Sequence, residues 1–311
     1  MLRIGVDLGG TKTEGVVMDV SGEILLRERR ATPQADGYSA ILTNLHDLVR
    51  ELEQRAGDHC HVGIGMPGAI STRTGFVKNS NTVCLNGRPV KQDLENMLAR
   101  EIRIANDANC FALSEAIDGA AQGAPVVFGV ILGTGVGGGI VVNGRLIEGA
   151  QHTAGEWGHN VLEPDGPPCY CGKHGCVETF LSGPGLAHDF QRHGGAQRRA
   201  SGRMPGADGD SAWDARAIDA AAARSDPLAE AAMLRYLDRF GRALSVVVNI
   251  LDPDVIVLGG GLSNMARLYT DGRESLAAHT FNDELRTVLL PHRHGDSSGV
   301  RGAARLWQAS E

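Results

Sequence analysis

The chain has 311 residues, 42% of them hydrophobic, and a formal net charge of −7, enough length and apolar content to bury the cores of two ordinary domains. That acidic balance excludes general binding of nucleic acid, which rests on a concentrated basic surface. No apolar run approaches the ~20 residues that span a bilayer, and the opening MLRIGVDLGG lacks a signal region, so a cytoplasmic chain with no membrane partner is expected.

In chain order, LRIGVDLGG alternates around Ile4 and Val6, turns at Gly9 and Gly10, and returns through TEGVVMDV to a Ser-Gly turn, which predicts a β-hairpin. Tyr38 to Gly57 carries Ile41, Leu42, Leu45, Leu48, Val49 and Leu52 at helical spacing. HVGIGMPGAI reads as a strand broken at Pro67-Gly68. REIRIANDANCFALSEAIDG reads as strand, turn and helix, with Asn106 and Asp107 at the strand's carboxyl end, where open α/β sheets place ligand-binding groups.

A second hairpin is predicted at VVFGVILGTGVGGGIVVNG, and its likeness to the first suggests duplicated α/β halves. Gln191 to Trp213 is rich in Gly, Arg and Ala without apolar periodicity and is read as a mobile surface connection. A long helix over MLRYLDRFGRALSVVVNIL ends before Asp252-Pro253. DVIVLGGGLS then gives a strand with a glycine-rich end, and HGDSSGVRGAARLW a loop and terminal helix that return to the N-terminal domain.

Three glycine-rich turns follow apolar strands: Asp7-Leu8-Gly9-Gly10-Thr11-Lys12-Thr13, Gly133-Thr134-Gly135-Val136-Gly137-Gly138-Gly139, and Gly259-Gly260-Gly261. Glycine lets backbone N–H groups approach phosphate oxygens, and the Thr hydroxyls and Lys12 add donors and charge. A dinucleotide fingerprint would need a helix directly after the glycines, whereas Ile140 to Val142 continue as strand; no turn matches a P-loop.

Of six cysteines, Cys60, Cys84 and Cys110 stand apart and are read as packing, while Cys169, Cys171 and Cys176 cluster. The C-x-C-x₄-C spacing is not a C-x-x-C redox pair, and a structural zinc needs a fourth ligand, for which His152, His159 and His174 are near in sequence.

Together DLGGTKT, NDAN, GTGVGGG, AGEWGH, CYCGKHGCVE and VIVLGGG resemble the ROK family of sugar kinases and sugar-responsive repressors over nearly the whole chain. VKNSNTVCLNG, NDANCFALSEA, CYCGKHGC, NILDPDVIVLGGG and HGDSSGVRGAA resemble its bacterial fructokinase type, and the N-acetylglucosamine kinases share many of these segments. The resemblance implies a two-domain actin-like (ribonuclease H-like) α/β fold with a cleft: residues 1–117 completed by 296–311, and a larger domain, 118–295, holding a zinc loop at 159–178.

It further implies an ATP-dependent hexose kinase, with fructose the expected sugar and N-acetylglucosamine or glucose the alternatives. Asp107 would be the general base. Asn106, Glu156, His159, Glu178, Gly68 and Asn81, with Asn79 beside it, would meet the sugar. The first two glycine turns would hold ATP phosphates, Gly259 to Gly261 would lie near the adenosine, and Asp7 would serve Mg2+. His159 would complete a zinc site with Cys169, Cys171 and Cys176, its other nitrogen reaching a sugar hydroxyl. A homodimer is expected. A non-catalytic sugar-sensing regulator is the reading of a different class; the repressors' helix-turn-helix would precede the DxGGTK strand, which here begins at residue 2.

Overall fold

The computed structural model describes residues 1–196 and 213–307. Most of the stretch read as a mobile connection therefore lies outside the described residues. By Cα proximity the chain divides into two units: Met1–Gly129 with Gly139–Gly155 and His292–Glu311, and Val130–Gly138 with Glu156–Pro291. The first unit thus takes in more of the middle of the chain than the expected 1–117 and 296–311.

In the first unit, β1 (Arg3–Leu8) and β2 (Lys12–Met18) form the expected antiparallel hairpin, which continues into β3 (Ile24–Ala31). Helix α1 (Tyr38–Ala56) buries all six apolar positions that its spacing selects and ends at Gly57, in the left-handed region at φ 69°. Strand β4 (His61–Met66) runs parallel to β1. The ribbon β5 (Ala69–Ile70) and β6 (Val77–Lys78) follows, then α2 (Val90–Leu98). Strand β7 (Ile102–Asn106), parallel to β4, passes directly into α3 (Asp107–Ile117). The sheet order is β3-β2-β1-β4-β7, and one buried cluster joins Ile4, Val6, Leu8 and the α1 stripe to Val62, Ile64 and Ile102.

The second sheet has the order β10-β9-β8-β11-β12. It is built from β8 (Val126–Leu132), β9 (Val136–Val142), β10 (Arg145–Leu146), β11 (Val255–Gly259) and β12 (Val288–Pro291). In both sheets the first strand of a hairpin-like trio pairs inward with the next crossover strand, which is the duplication that the two hairpins suggest. Between these strands lie α4 (Glu178–Leu181), α5 (Gly183–Phe190), α6 (Ala215–Ala223), α7 (Pro227–Leu251) and α8 (Asp271–His279). Helix α7 starts with Asp226 accepting from the Leu228 and Ala229 N–H groups and stops at Asp252, just before Pro253.

The last helix, α9 (Ser298–Arg305), falls in the first unit. Its approach is set by Glu115, a fully buried carboxylate that accepts the Arg293 N–H at 3.0 Å and the Ser298 hydroxyl at 2.7 Å. Burial opposes that charge, but the Ala120, Arg293, His294 and Ser298 donors outweigh it and hold the Glu115 carboxyl below the usual range.

Candidate functional site

The first unit assembles a carboxylate pair at the ends of β1 and β7. Asn106 and Asp107 stand where β7 becomes α3, and both act on the helix start: Asn106 Oδ1 accepts the Ala108 N–H at 2.9 Å and Asp107 Oδ1 accepts it at 2.8 Å. Capping of α3 thus falls on the same two residues that the family resemblance assigns to sugar and base. Asp7, at the end of β1, packs against the start of α9 at Gly299. Its carboxyl is pushed up to about 7, by desolvation first and then by the charges of Asp107 and Glu14, with Lys12 pulling the other way. Two carboxylates that disfavour each other's charge in a desolvated setting are a pattern of functional sites.

Gly68 has φ 85°, a conformation that L side chains rarely adopt, and a Cβ there would lie 2.5 Å from the Lys78 carbonyl. The Pro67-Gly68 break therefore lets the 77–81 segment lie on it, and Asn106 Nδ2 donates to the Gly68 carbonyl at 3.3 Å. Asn79, at φ 59°, and Asn81 are exposed on this segment. Gly68, Asn106, Asn109, Glu148 and His152 line one small recess. Glu148 and His152 escaped sequence reasoning as members of this group.

In the first glycine turn, the Gly9 N–H donates to the Lys12 carbonyl at 3.0 Å, and Gly10, Thr11 and Lys12 are exposed. Thr13 is a correction: it is fully buried, its hydroxyl 2.8 Å from that of Thr32, so it braces the turn from within rather than presenting a donor to a phosphate. Thr32 in turn donates to the Gly9 carbonyl at 2.7 Å.

The second unit brings together His159, Cys169, Cys171 and Cys176, with all four ligand atoms within 4.8 Å of one another. Nδ1 of His159 is 3.6 Å from Cys169 Sγ, and Cys171 Sγ is 3.6 Å from Cys176 Sγ. Tetrahedral zinc with ~2.3 Å bonds to sulfur sets ligands ~3.8 Å apart, so the donor set fits a Cys₃His site. The loop is preshaped by its backbone: Cys169 N–H donates to the Lys173 carbonyl at 2.8 Å and Gly175 N–H to the Pro167 carbonyl at 2.8 Å. Of the other sequence candidates, His174 is exposed and His152 belongs to the first unit; neither is in the group.

Glu156 and Glu178 flank this cluster in sequence, and each is held by the second unit's turns. Glu156 opens the short helical turn Trp157–His159, which is fixed by the Trp157 indole N–H on the Gly137 carbonyl at 2.9 Å. Glu178 begins α4, and its Oε2 accepts the Val136 N–H at 2.9 Å. That oxygen comes so close that a Cβ at Gly135 would lie 2.7 Å from it.

Two glycine turns of this unit share a cavity of about 620 Å³, lined by Gly133, Thr134, Trp213, Asp219, Gly261 and Leu262 among others. Gly133 accepts the Gly183 N–H at 2.8 Å, which fastens the turn to the start of α5. Trp213 packs on Phe190 with centroids 4.6 Å apart, giving the cavity an aromatic wall. Gly135, Gly137, Gly259 and Gly260 belong to the same two turns but do not line it. Trp213 and Asp219 are functional candidates that the sequence left unmarked. No helix among the described residues is long and apolar enough to cross a membrane.

The ROK family model matches residues 3–310 of the chain. An N-acetyl-D-glucosamine kinase of Yersinia pseudotuberculosis is 39% identical, covering 99% of this chain and 99% of its own. One from Shigella boydii is also 39% identical, over 97% and 98%. Among solved structures, the ROK hexokinase of Thermus thermophilus superposes with a TM-score of 0.84 at 31% identity, covering 98% of this chain and 97% of that one. A ROK family glucokinase of Streptomyces griseus, in complex with glucose and AMPPNP, superposes with a TM-score of 0.78 at 30% identity, over 98% and 99%.

Proposed function

The chain belongs to the ROK family, and on that footing we propose that it is an ATP-dependent hexose kinase whose sugar is N-acetylglucosamine. The full-length relatives at 39% identity bear that kinase name, so the expected fructose gives way to its alternative. The fructokinase-like segments quoted above keep fructose as the second reading. The observation that carries the kinase reading is the ROK family match over residues 3–310, within which Asp107 stands at the β7–α3 junction.

Phosphoryl transfer asks for positioning, charge neutralisation and a base at the attacking hydroxyl. Asp107 takes the proton of a sugar hydroxyl as that oxygen bonds to the γ-phosphorus and the bond to ADP breaks. Asn106, Gly68, Asn81, Glu156, Glu178 and the Nε2 side of His159 are the residues that this reading gives to the sugar. A ligand made largely of hydroxyls suits a lining of carboxylates, amide and imidazole. Gly9 to Lys12 and the 133–137 turn donate to phosphates, and the 620 Å³ cavity beside Gly133, Thr134 and Gly261 takes the nucleoside. Asp7 would hold Mg2+, which would supply neutralisation of phosphate charge. His159 and the three cysteines would hold Zn2+, which would keep the loop and the imidazole in place. The actin-like arrangement and a homodimer complete the proposal.

A coupled assay of ADP release over N-acetylglucosamine, fructose, mannose and glucose tests the sugar. N-acetylglucosamine should give the highest kcat/KM; a large preference for fructose would replace this reading with the second one and leave the kinase standing.

A further inference from the structure

Tyr170 lies between two of the three clustered cysteines, and neither the family motifs nor the mechanism above uses it. Its hydroxyl is 3.0 Å from His159 Nε2, with the two rings edge-on and their centroids 5.1 Å apart. The imidazole is thereby divided: Nδ1 faces the thiols and Nε2 faces Tyr170. An imidazole whose Nδ1 is a metal ligand carries one N–H, on Nε2, and one N–H makes one well-aligned hydrogen bond. Tyr170 therefore stands at the atom that the proposed function gives to the sugar.

The side chain is 72% exposed, and among the described residues its hydroxyl has this single hydrogen-bond partner. Leaving the imidazole would uncover little packed surface. Nor does the imidazole need Tyr170 to set its direction, because the cysteine cluster holds Nδ1 and the Trp157–His159 turn is anchored through the indole to Gly137.

We propose that Tyr170 is a specificity-determining residue that competes with the sugar for the His159 Nε2–H. Its hydroxyl occupies that donor in the sugar-free chain, and a sugar hydroxyl takes it over on binding. The proposal rests on the reading of His159 as a sugar ligand. Two consequences follow from the competition. The apparent sugar Kd is the intrinsic one divided by the fraction of molecules with Nε2 open. A sugar that lacks an acceptor at this position leaves Tyr170 in place and loses nothing, whereas one that has it must displace the phenol, so the residue narrows the preference among hexoses that differ there.

The test uses full-length, zinc-loaded protein and its Tyr170→Phe variant, each titrated calorimetrically with N-acetylglucosamine and in parallel with fructose, without ATP. Zinc content is measured in both, and ¹⁵N-histidine NMR follows the His159 Nε2–H. The variant should keep its zinc and bind sugar with a Kd about two- to tenfold lower, the scale of one net hydrogen bond, and sugar should shift the Nε2–H signal in both proteins. An unchanged or higher Kd with the signal still responding to sugar would overturn the competition and leave His159 a sugar ligand. Loss of zinc in the variant would overturn it too, assigning Tyr170 to metal retention. A signal that ignores both sugars in both proteins would remove the premise, and the proposal with it.

Discussion

Glu178 Oε2 accepts the Val136 N–H at 2.9 Å, so a carboxylate assigned to the sugar is bonded to the turn assigned to ATP phosphates. Removing it acts on both. Glu178→Ala should raise KM for hexose and for ATP together, each by roughly tenfold, because a charge-assisted hydrogen bond contributes about 1.5 kcal/mol or more. Glu178→Gln keeps an acceptor for Val136 and should spare the ATP KM while still weakening sugar. Initial rates over both substrates check this; a change confined to the sugar KM in Glu178→Ala would separate the two sites.

Asp7 gives a pH signature. Its carboxyl ordinarily titrates near 3.8 and in the folded chain at about 7, by desolvation first and then by Asp107. Between those values the folded chain binds a proton that the unfolded chain has lost, so stability falls as pH rises through this window. Below it both states are protonated and the term vanishes. The full effect is about 4 kcal/mol. Asp7→Asn, unfolded by urea in magnesium-free buffer, should lose this slope and become more stable than wild type at pH 7. Parallel pH profiles of the two proteins would contradict the assignment.

Zinc binding is tested by removal. Purified protein should carry one zinc per chain, and Cys171→Ser, which leaves three of the four donors, should lose it on mild chelation and bind hexose at least tenfold more weakly. Thermal unfolding should move to lower temperature with the metal gone. Metal analysis and calorimetry read both effects; metal-free protein with normal sugar affinity would contradict the site.

Several parts of this fold were legible because their signals are local. The α1 stripe is a 3.6-residue period, the hairpins are glycine turns between apolar runs, and the Asn106-Asp107 pair announces a strand-to-helix junction. The Cys₃His group was legible through family motifs, since three histidines lie near the cysteines in sequence and only the folded loop shows that His159 joins them. What escaped depends on pairing between distant segments. Thr13 reads as a turn donor until Thr32, 19 residues away, claims its hydroxyl. Glu148 and His152 reach the recess at Asn106 through the return of the chain after β10. Glu115 carries no local signal of its role, which comes from the distant 293–298 segment that covers it. Tyr170 looks like a spacer between cysteines, because no pattern announces a side chain that bonds to its neighbour's metal ligand.

The central claim is hexose phosphorylation with Asp107 as the base, and single-turnover formation of sugar phosphate by wild type and Asp107→Asn tests it most directly. The variant should fold normally, bind ATP and sugar with near wild-type Kd, and form product ~10² or more times slower. Product formation at the wild-type rate in the variant, or none by wild type with any hexose, would contradict the account.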